Sequence, residues 1–163
     1  MKNIILLLFL FFGCLVARSQ ATATFTASAT IIEPIGISTT SNMSFAHLEA
    51  GSGGSVILSP EDQRFTTGDV HLAAGGEVSA AAFEVTGQQG FSFSISLPEQ
   101  DFILSNGSDQ LILKNFTSNL QEKGFLPGGV AQVKVGATLE VKGRQLPGNY
   151  TSQAPMAVTV NYN

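Results

Sequence analysis

Cysteine, tryptophan and charge are scarce in this 163-residue chain, which has one Cys, no Trp, and only 12% Asp, Glu, Lys and Arg. With Cys14 alone, no intrachain disulfide can form, so packing must hold the fold together. The missing Trp removes the ring best suited to stacking on a sugar, which counts against a glycan-binding module. Eight Lys and Arg stand against twelve Asp and Glu, and no basic run occurs. A sparse, mildly acidic surface argues against nucleic acid or an anionic lipid surface as partner. The two histidines, His47 and His71, lie far apart and in none of the spacings that build a zinc site. No metal, cofactor or catalytic residue is expected.

One long apolar run is present. Ile4 to Val16 is almost unbroken, Lys2 precedes it, and Ser19-Gln20-Ala21 follows with small residues. This is the pattern of a secretory signal cleaved near Ala21. The run falls short of the roughly 20 residues that cross a bilayer. Cys14, preceded by Phe-Phe-Gly, opens a second option, cleavage with a lipid on that cysteine, although Phe11 fits it poorly. The expected organisation is a signal peptide over 1–21 and one domain over 22–163, exported to the periplasm, cell surface or medium. The domain has about 140 residues, enough for one core. It carries six Lys and Arg against all twelve acids, a net charge of −6.

Past the signal the apolar period is two almost everywhere. In "FSFSISLP", Phe91, Phe93, Ile95 and Leu97 point one way and the serines the other. Strict alternation marks a half-buried strand. "AAFEVTG" places Ala81, Phe83 and Val85 on one face, and "VAQVKVGATLEVKG" does so with Val133, Val135, Ala137, Leu139 and Val141. Gly136 interrupts the latter and marks a bulge or a close backbone approach. "QLILKNF", "SVILSP", "GDVHLA", "DFILSNG" and "NMSFAHL" read as further strands. "GSGG", "SPEDQ", "AAGGE", "SNGSD" and "LPGN" supply turns between them. "NLQEKGF" offers one helical turn at most. Roughly eight to ten antiparallel strands in two packed sheets are expected.

Chemistry-bearing motifs are absent. Glu61 and Asp62 in "PEDQ" belong to a turn at Pro60, since neighbours on a strand diverge to opposite faces. No serine lies in a G-x-S-x-G elbow, and "GSGG" lacks the Lys-Ser/Thr of a phosphate loop. His71 is expected at the surface, and His47 half-buried as a structural residue. Sequons at Asn42, Asn106, Asn115 and Asn149 matter only where N-glycans are added.

The stretches "ATIIEPIGI", "GGSVILSP", "AAFEVTGQQGFSFSISLP", "VGATLEVKG" and "LPGNYTSQAPMAVTVNYN" follow one another in this order. Together they resemble a family of small secreted bacterial domains of unknown function, over nearly the whole chain past the signal. The ends also resemble pilus subunits of the chaperone–usher kind, including spore-coat-U-like proteins. That resemblance implies an immunoglobulin-like β-sandwich lacking one strand, completed by the N-terminal extension of a neighbour. Tyr162 takes the place of their penultimate aromatic residue, and Gly148, followed by Tyr150, that of the glycine before the last strand. Their cysteine pair is missing.

Two segments fit such an exchange. "TATFTASATIIEP" puts Phe25, Ala27, Ala29 and Ile31 on one face of a candidate donor strand, or of the domain's own first strand. "PMAVTVNYN" puts Val158, Val160 and Tyr162 on a candidate acceptor edge; such an apolar strand templates association unless both its edges are covered. The expectation is a non-enzymatic, all-β, antiparallel two-sheet immunoglobulin-like sandwich with a structural or adhesive role at the bacterial surface. Its partners would be further copies or other surface subunits. A stand-alone ligand- or glycan-binding module is the alternative.

Overall fold

The computed structural model describes residues 20–121 and 123–163. The signal segment expected over 1–21, with Cys14, lies outside these residues except for Gln20 and Ala21. The chain divides into two compact units, Met1–Ile31 and Ile32–Asn163. In the first, residues 20–31 form neither helix nor strand and are exposed. In the second, the described residues contain strands and no helix.

Thirteen strands follow in order among the described residues: β1 (Gly36–Ser41), β2 (Leu48–Glu49), β3 (Gly53–Leu58), β4 (Arg64–Gly68), β5 (His71–Leu72), β6 (Ala81–Thr86), β7 (Ser92–Ser96), β8 (Phe102–Ser105), β9 (Gln110–Ser118), β10 (Lys123–Phe125), β11 (Val130–Lys142), β12 (Thr151–Ser152) and β13 (Thr159–Tyr162). All pairings are antiparallel. The main sheet runs β1-β6-β11-β9-β8-β12, with β3 also on β11 and β4 outside β3. A second sheet runs β10-β7-β13, and β2 pairs with β5 as a short ribbon. "GDVHLA" and "NMSFAHL" contribute less strand than their alternation suggests. The first gives only β5, and the second only an isolated bridge between Ser44 and Ser79 before β2 begins.

β11 organises the fold. Its residues 130–135 pair with β6 and 137–142 with β3, while 135–140 pair with β9. One edge of a single long strand thus serves two shorter strands in turn. The alternation read from the sequence holds along its length, because Val133, Val135, Ala137, Leu139 and Val141 are all buried. This stripe joins two apolar clusters. Val133 and Val135 pack with Val85, Phe93, Leu126 and Val160. Ala137, Leu139 and Val141 pack with Val56, Leu58, Leu113 and Phe102. Met43 and Phe116 touch both clusters. Each large aliphatic side chain so buried contributes about 1.5–3 kcal/mol.

The opposite side of β11 carries Gly136, which is also buried. A Cβ there would run into Leu58 O and the backbone of Ser59 and Pro60. The close approach expected from the sequence is therefore made by the β3–β4 turn, which crosses β11 at this point. The turn closes on itself through Ser59 N–H to Gln63 O at 2.8 Å. Asp62 then pins it, accepting from Ala80 N–H at 2.8 Å and from Lys134 Nζ at 2.6 Å.

Asp62 is held below the usual carboxylate range, first by the Lys134 ammonium and then by the Ala80 amide. A depressed carboxyl pKa stabilises the fold fully above the unfolded value, and that stability is lost as pH falls through the folded value. Asp62→Asn should therefore cost under about 1 kcal/mol at neutral pH, since both partners of the ion pair are partly exposed. The gap to the parent should narrow in urea melts as pH falls through the lowered folded-state value of Asp62, below which both carry a neutral side chain at position 62.

Candidate functional site

The candidate site is built from sheet edges. β13 pairs with β7 in the register Thr159↔Ser96 to Tyr162↔Phe93. Among the described residues no strand pairs with its other edge. Asn163 N–H reaches Ser92 O at 3.2 Å. Alternation then turns the backbone groups of Thr159 and Asn161 toward β7 and those of Val160 and Tyr162 toward the open edge. Side chains on the inner face reinforce it, with Val160 buried and Val158 and Tyr162 half-buried in the Val133–Val135 cluster. Val158 lies one residue before the strand begins.

Tyr162 is a clamp. Its hydroxyl accepts from Gln88 N–H at 2.6 Å and donates to Glu33 O at 2.8 Å. Its ring meets Phe91 edge-to-face with centroids 5.5 Å apart. Gly87 lies against the hydroxyl so closely that a Cβ there would overlap it. The phenol thereby ties the last strand to the β6–β7 turn and to the chain entering β1. Tyr162→Phe should cost about 0.5–1.5 kcal/mol, because the part-buried Gln88 N–H loses its partner while the exposed Glu33 C=O can turn to water. Chemical denaturation measures the loss, and amide exchange at Gln88 should quicken with it.

The candidate donor residues lie in the first unit. Phe25 is 92% exposed and Ile31 97% exposed, and Ala27 and Ala29 are exposed between them. No strand forms over these positions in the single chain.

Polar constellations elsewhere hold loops. Asp69 Oδ2 accepts from both the amide and the hydroxyl of Ser52 at 2.9 Å, and its Oδ1 lies 3.2 Å from His71 Nε2. These contacts, with the Ser52 amide foremost, hold the Asp69 carboxyl below its ordinary range. The carboxylate stands between serine and histidine, so the imidazole is not hydrogen-bonded to the hydroxyl it would need to activate. His71 is exposed as expected. His47 is exposed rather than half-buried, its Nδ1 lying 3.2 Å from Ala74 O. Among the described residues no three His, Cys, Asp or Glu side chains gather as a metal set. Asp62 acts through Ala80 and Lys134 and Asp69 chiefly through Ser52, partners distant in sequence that no local spacing signals; only His71 lies close by in the chain.

A groove beside β7 also went unread in the sequence. Among the described residues β10 pairs with β7 from Phe125↔Ser92 to Lys123↔Ser94, and β13 follows β7 to Ser96. β8 pairs with β9 only as far as Leu113. Between β7 and β9 lies an open groove of about 660 Å³, with Ile95, Leu97, Phe116 and Lys123 among its lining residues.

Among the described residues the fold is thus all-β, with β13 at the edge of its sheet. It belongs to the family described as "Domain of unknown function (DUF4402)", whose pattern matches residues 35–162. No curated protein and no solved structure matches it. Among the described residues no helix is long and apolar enough to cross a membrane.

Proposed function

We propose that this protein is an exported, non-enzymatic subunit with a structural or adhesive role at the bacterial surface, fimbrial-like in associating by β-strand addition. The finer fold under this reading is an immunoglobulin-like sandwich of the main sheet on the β10-β7-β13 sheet. The observation that carries the proposal is the pairing of opposites in one chain. Residues 22–31 expose alternating apolar side chains and form no strand, while the domain keeps sheet edges unpaired among its described residues. An extended segment gains backbone hydrogen bonds from such an edge and specificity from alternate side-chain pockets. The β13 edge with Val158, Val160 and Tyr162 is one acceptor. The resemblance of the chain's ends to chaperone–usher pilus subunits supports the same reading, and the apolar run before Ala21 supports export.

The test compares residues 22–163 with residues 33–163 by analytical ultracentrifugation. The longer chain should associate with rising concentration. The shorter should remain a folded monomer, because the compact unit begins at Ile32. A strictly monomeric longer chain would remove the proposal.

A further inference from the structure

Loops from four places in the chain meet where β3 begins and β11 ends, since Gly53 pairs with Lys142. Asp69, between β4 and β5, fastens the β2–β3 turn. Its N–H reaches Gly53 O at 2.9 Å, and its Oδ2 accepts from the amide and hydroxyl of Ser52, both at 2.9 Å. Gly51 packs so closely that a Cβ there would meet Asp69 O. The β2–β3 turn in turn touches the β11–β12 loop. Gly143 abuts Ser52 O, where a Cβ would overlap it, and Arg144 N–H donates to Gly51 O at 3.4 Å.

The far side of that loop is fastened by Asp109. Its Oδ2 accepts from Leu146 N–H at 3.2 Å and its Oδ1 from Gln110 N–H at 2.8 Å. Gln145 Nε2 donates to Gln110 O at 3.0 Å, and Gly148 lies against the Asn106 side chain. Asn106 Oδ1 fixes Asp109 itself, accepting from its N–H at 2.7 Å. Tyr150 seals the loop from within. Its hydroxyl donates to Leu146 O at 2.6 Å, and its half-buried side chain packs on the cluster of Leu111 and Val141. Contacts thus run unbroken from Asp69 to Asp109.

We propose that residues 51–52, 69–71, 106–109 and 143–150 form one cap, latched by the ionised carboxylates of Asp69 and Asp109, which opens in acid while the strands beneath stay paired. Both latches are carboxylates accepting backbone amides, bonds that are about twice as strong when the acceptor is ionised. The Ser52 amide foremost holds the Asp69 carboxyl below its ordinary range, and the Gln110 and Leu146 amides do so for Asp109. A lowered carboxyl holds fully above its unfolded value, and the hold is lost as pH falls through the folded value. The charged neighbours are few. His71 faces Asp69 from β5, with Glu49 opposite it on β2, and Lys142 faces Asp109 from β11. The core gives the contrast: among the described residues no buried side chain is polar or charged, so acid has no group to titrate there. Asp62 fastens the turn at the other end of β3, outside the cap.

The experiment follows backbone hydrogen exchange by mass spectrometry in residues 22–163 as pH falls through the carboxylate range, with each rate referred to the unfolded chain at the same pH. Protection over 50–53 and 143–148 should fall together by at least about fivefold, while 133–141 keeps its own. Loss at all three segments together would show that the cap is no unit apart from the core. Loss at one cap segment alone would overturn the single cap, and no loss at either would overturn the carboxylate latch. Variants then test the coupling at neutral pH. Asp109→Asn should quicken exchange over 50–53 as well as 143–148, and Asp69→Asn with Asp109→Asn should leave both segments fast at every pH. Asp62→Asn should leave them within about twofold of the parent. An effect of Asp109→Asn confined to 143–148, or a double variant whose cap still responds to acid, would overturn the proposal.

Discussion

Gly136→Ala is expected to destabilise the domain by about 3 kcal/mol, near the top of the range for overpacking in a filled interior. The cost is high because the obstacle is backbone. The new methyl group would meet Leu58 O and the Ser59–Pro60 peptide, which cannot rotate away as a flexible side chain can. Either β3 lifts from β11, or the Ser59–Gln63 turn is pushed off the sheet. In the second case Asp62 also loses Lys134 and Ala80. The variant should then lose the parent's Asp62-dependent acid sensitivity along with its stability, a double signature that a simple cavity would not give. Urea titration measures the first, as a lower midpoint at unchanged slope. Gly128→Ala is the control. Nothing lies within 4 Å of a Cβ there, so the change should stay within about 0.5 kcal/mol. Equal effects at the two positions would show that the turn does not press on β11.

Alternation made most of the facing pattern legible. The stripe from Val133 to Val141 and the burial of Phe93 and Val85 follow from period two alone. What alternation cannot specify is which strand lies beside which, since pairing depends on contacts between residues far apart in sequence. Hence the division of one β11 edge between β6 and β3 was not readable, nor was the groove between β7 and β9. The bulge at Asn115–Phe116 hides inside "QLILKNF", where a run of mostly apolar residues reads as plain strand. His47 illustrates the converse error. An apolar neighbourhood in sequence suggested partial burial, but "NMSFAHL" yields only an isolated bridge and leaves the imidazole outside. The candidate edges were half legible. The apolar pattern of "PMAVTVNYN" signals a strand in need of neighbours, but the two hydrogen bonds of the Tyr162 hydroxyl join positions 129 and 74 residues away.

Phe93→Ala should cost about 3–5 kcal/mol, the range for removing a large buried aromatic side chain. Phe93 is fully buried and sits mid-sheet, opposite Gly124 on β10 and Tyr162 on β13. Its ring lies over Gly124 so closely that a Cβ at that position would overlap the ring atoms. Ring and glycine therefore form one packing unit. Gly124→Ala alone should destabilise by about 1–3 kcal/mol through overpacking. Joined to Phe93→Leu, it should cost less than the two changes summed, because the shorter side chain vacates the space the methyl group needs. A coupling energy of about 0.5–3 kcal/mol in a double-mutant cycle measures this, and strict additivity would show that the ring and the glycine are independent. The unit also bears on association. β7 carries β13, so the candidate acceptor edge hangs on the strand that Phe93 anchors. Mild destabilisation of this three-stranded sheet should weaken self-association at temperatures where circular dichroism still reports a folded chain. Loss of association only in step with global unfolding would place the contact surface on the main sheet instead.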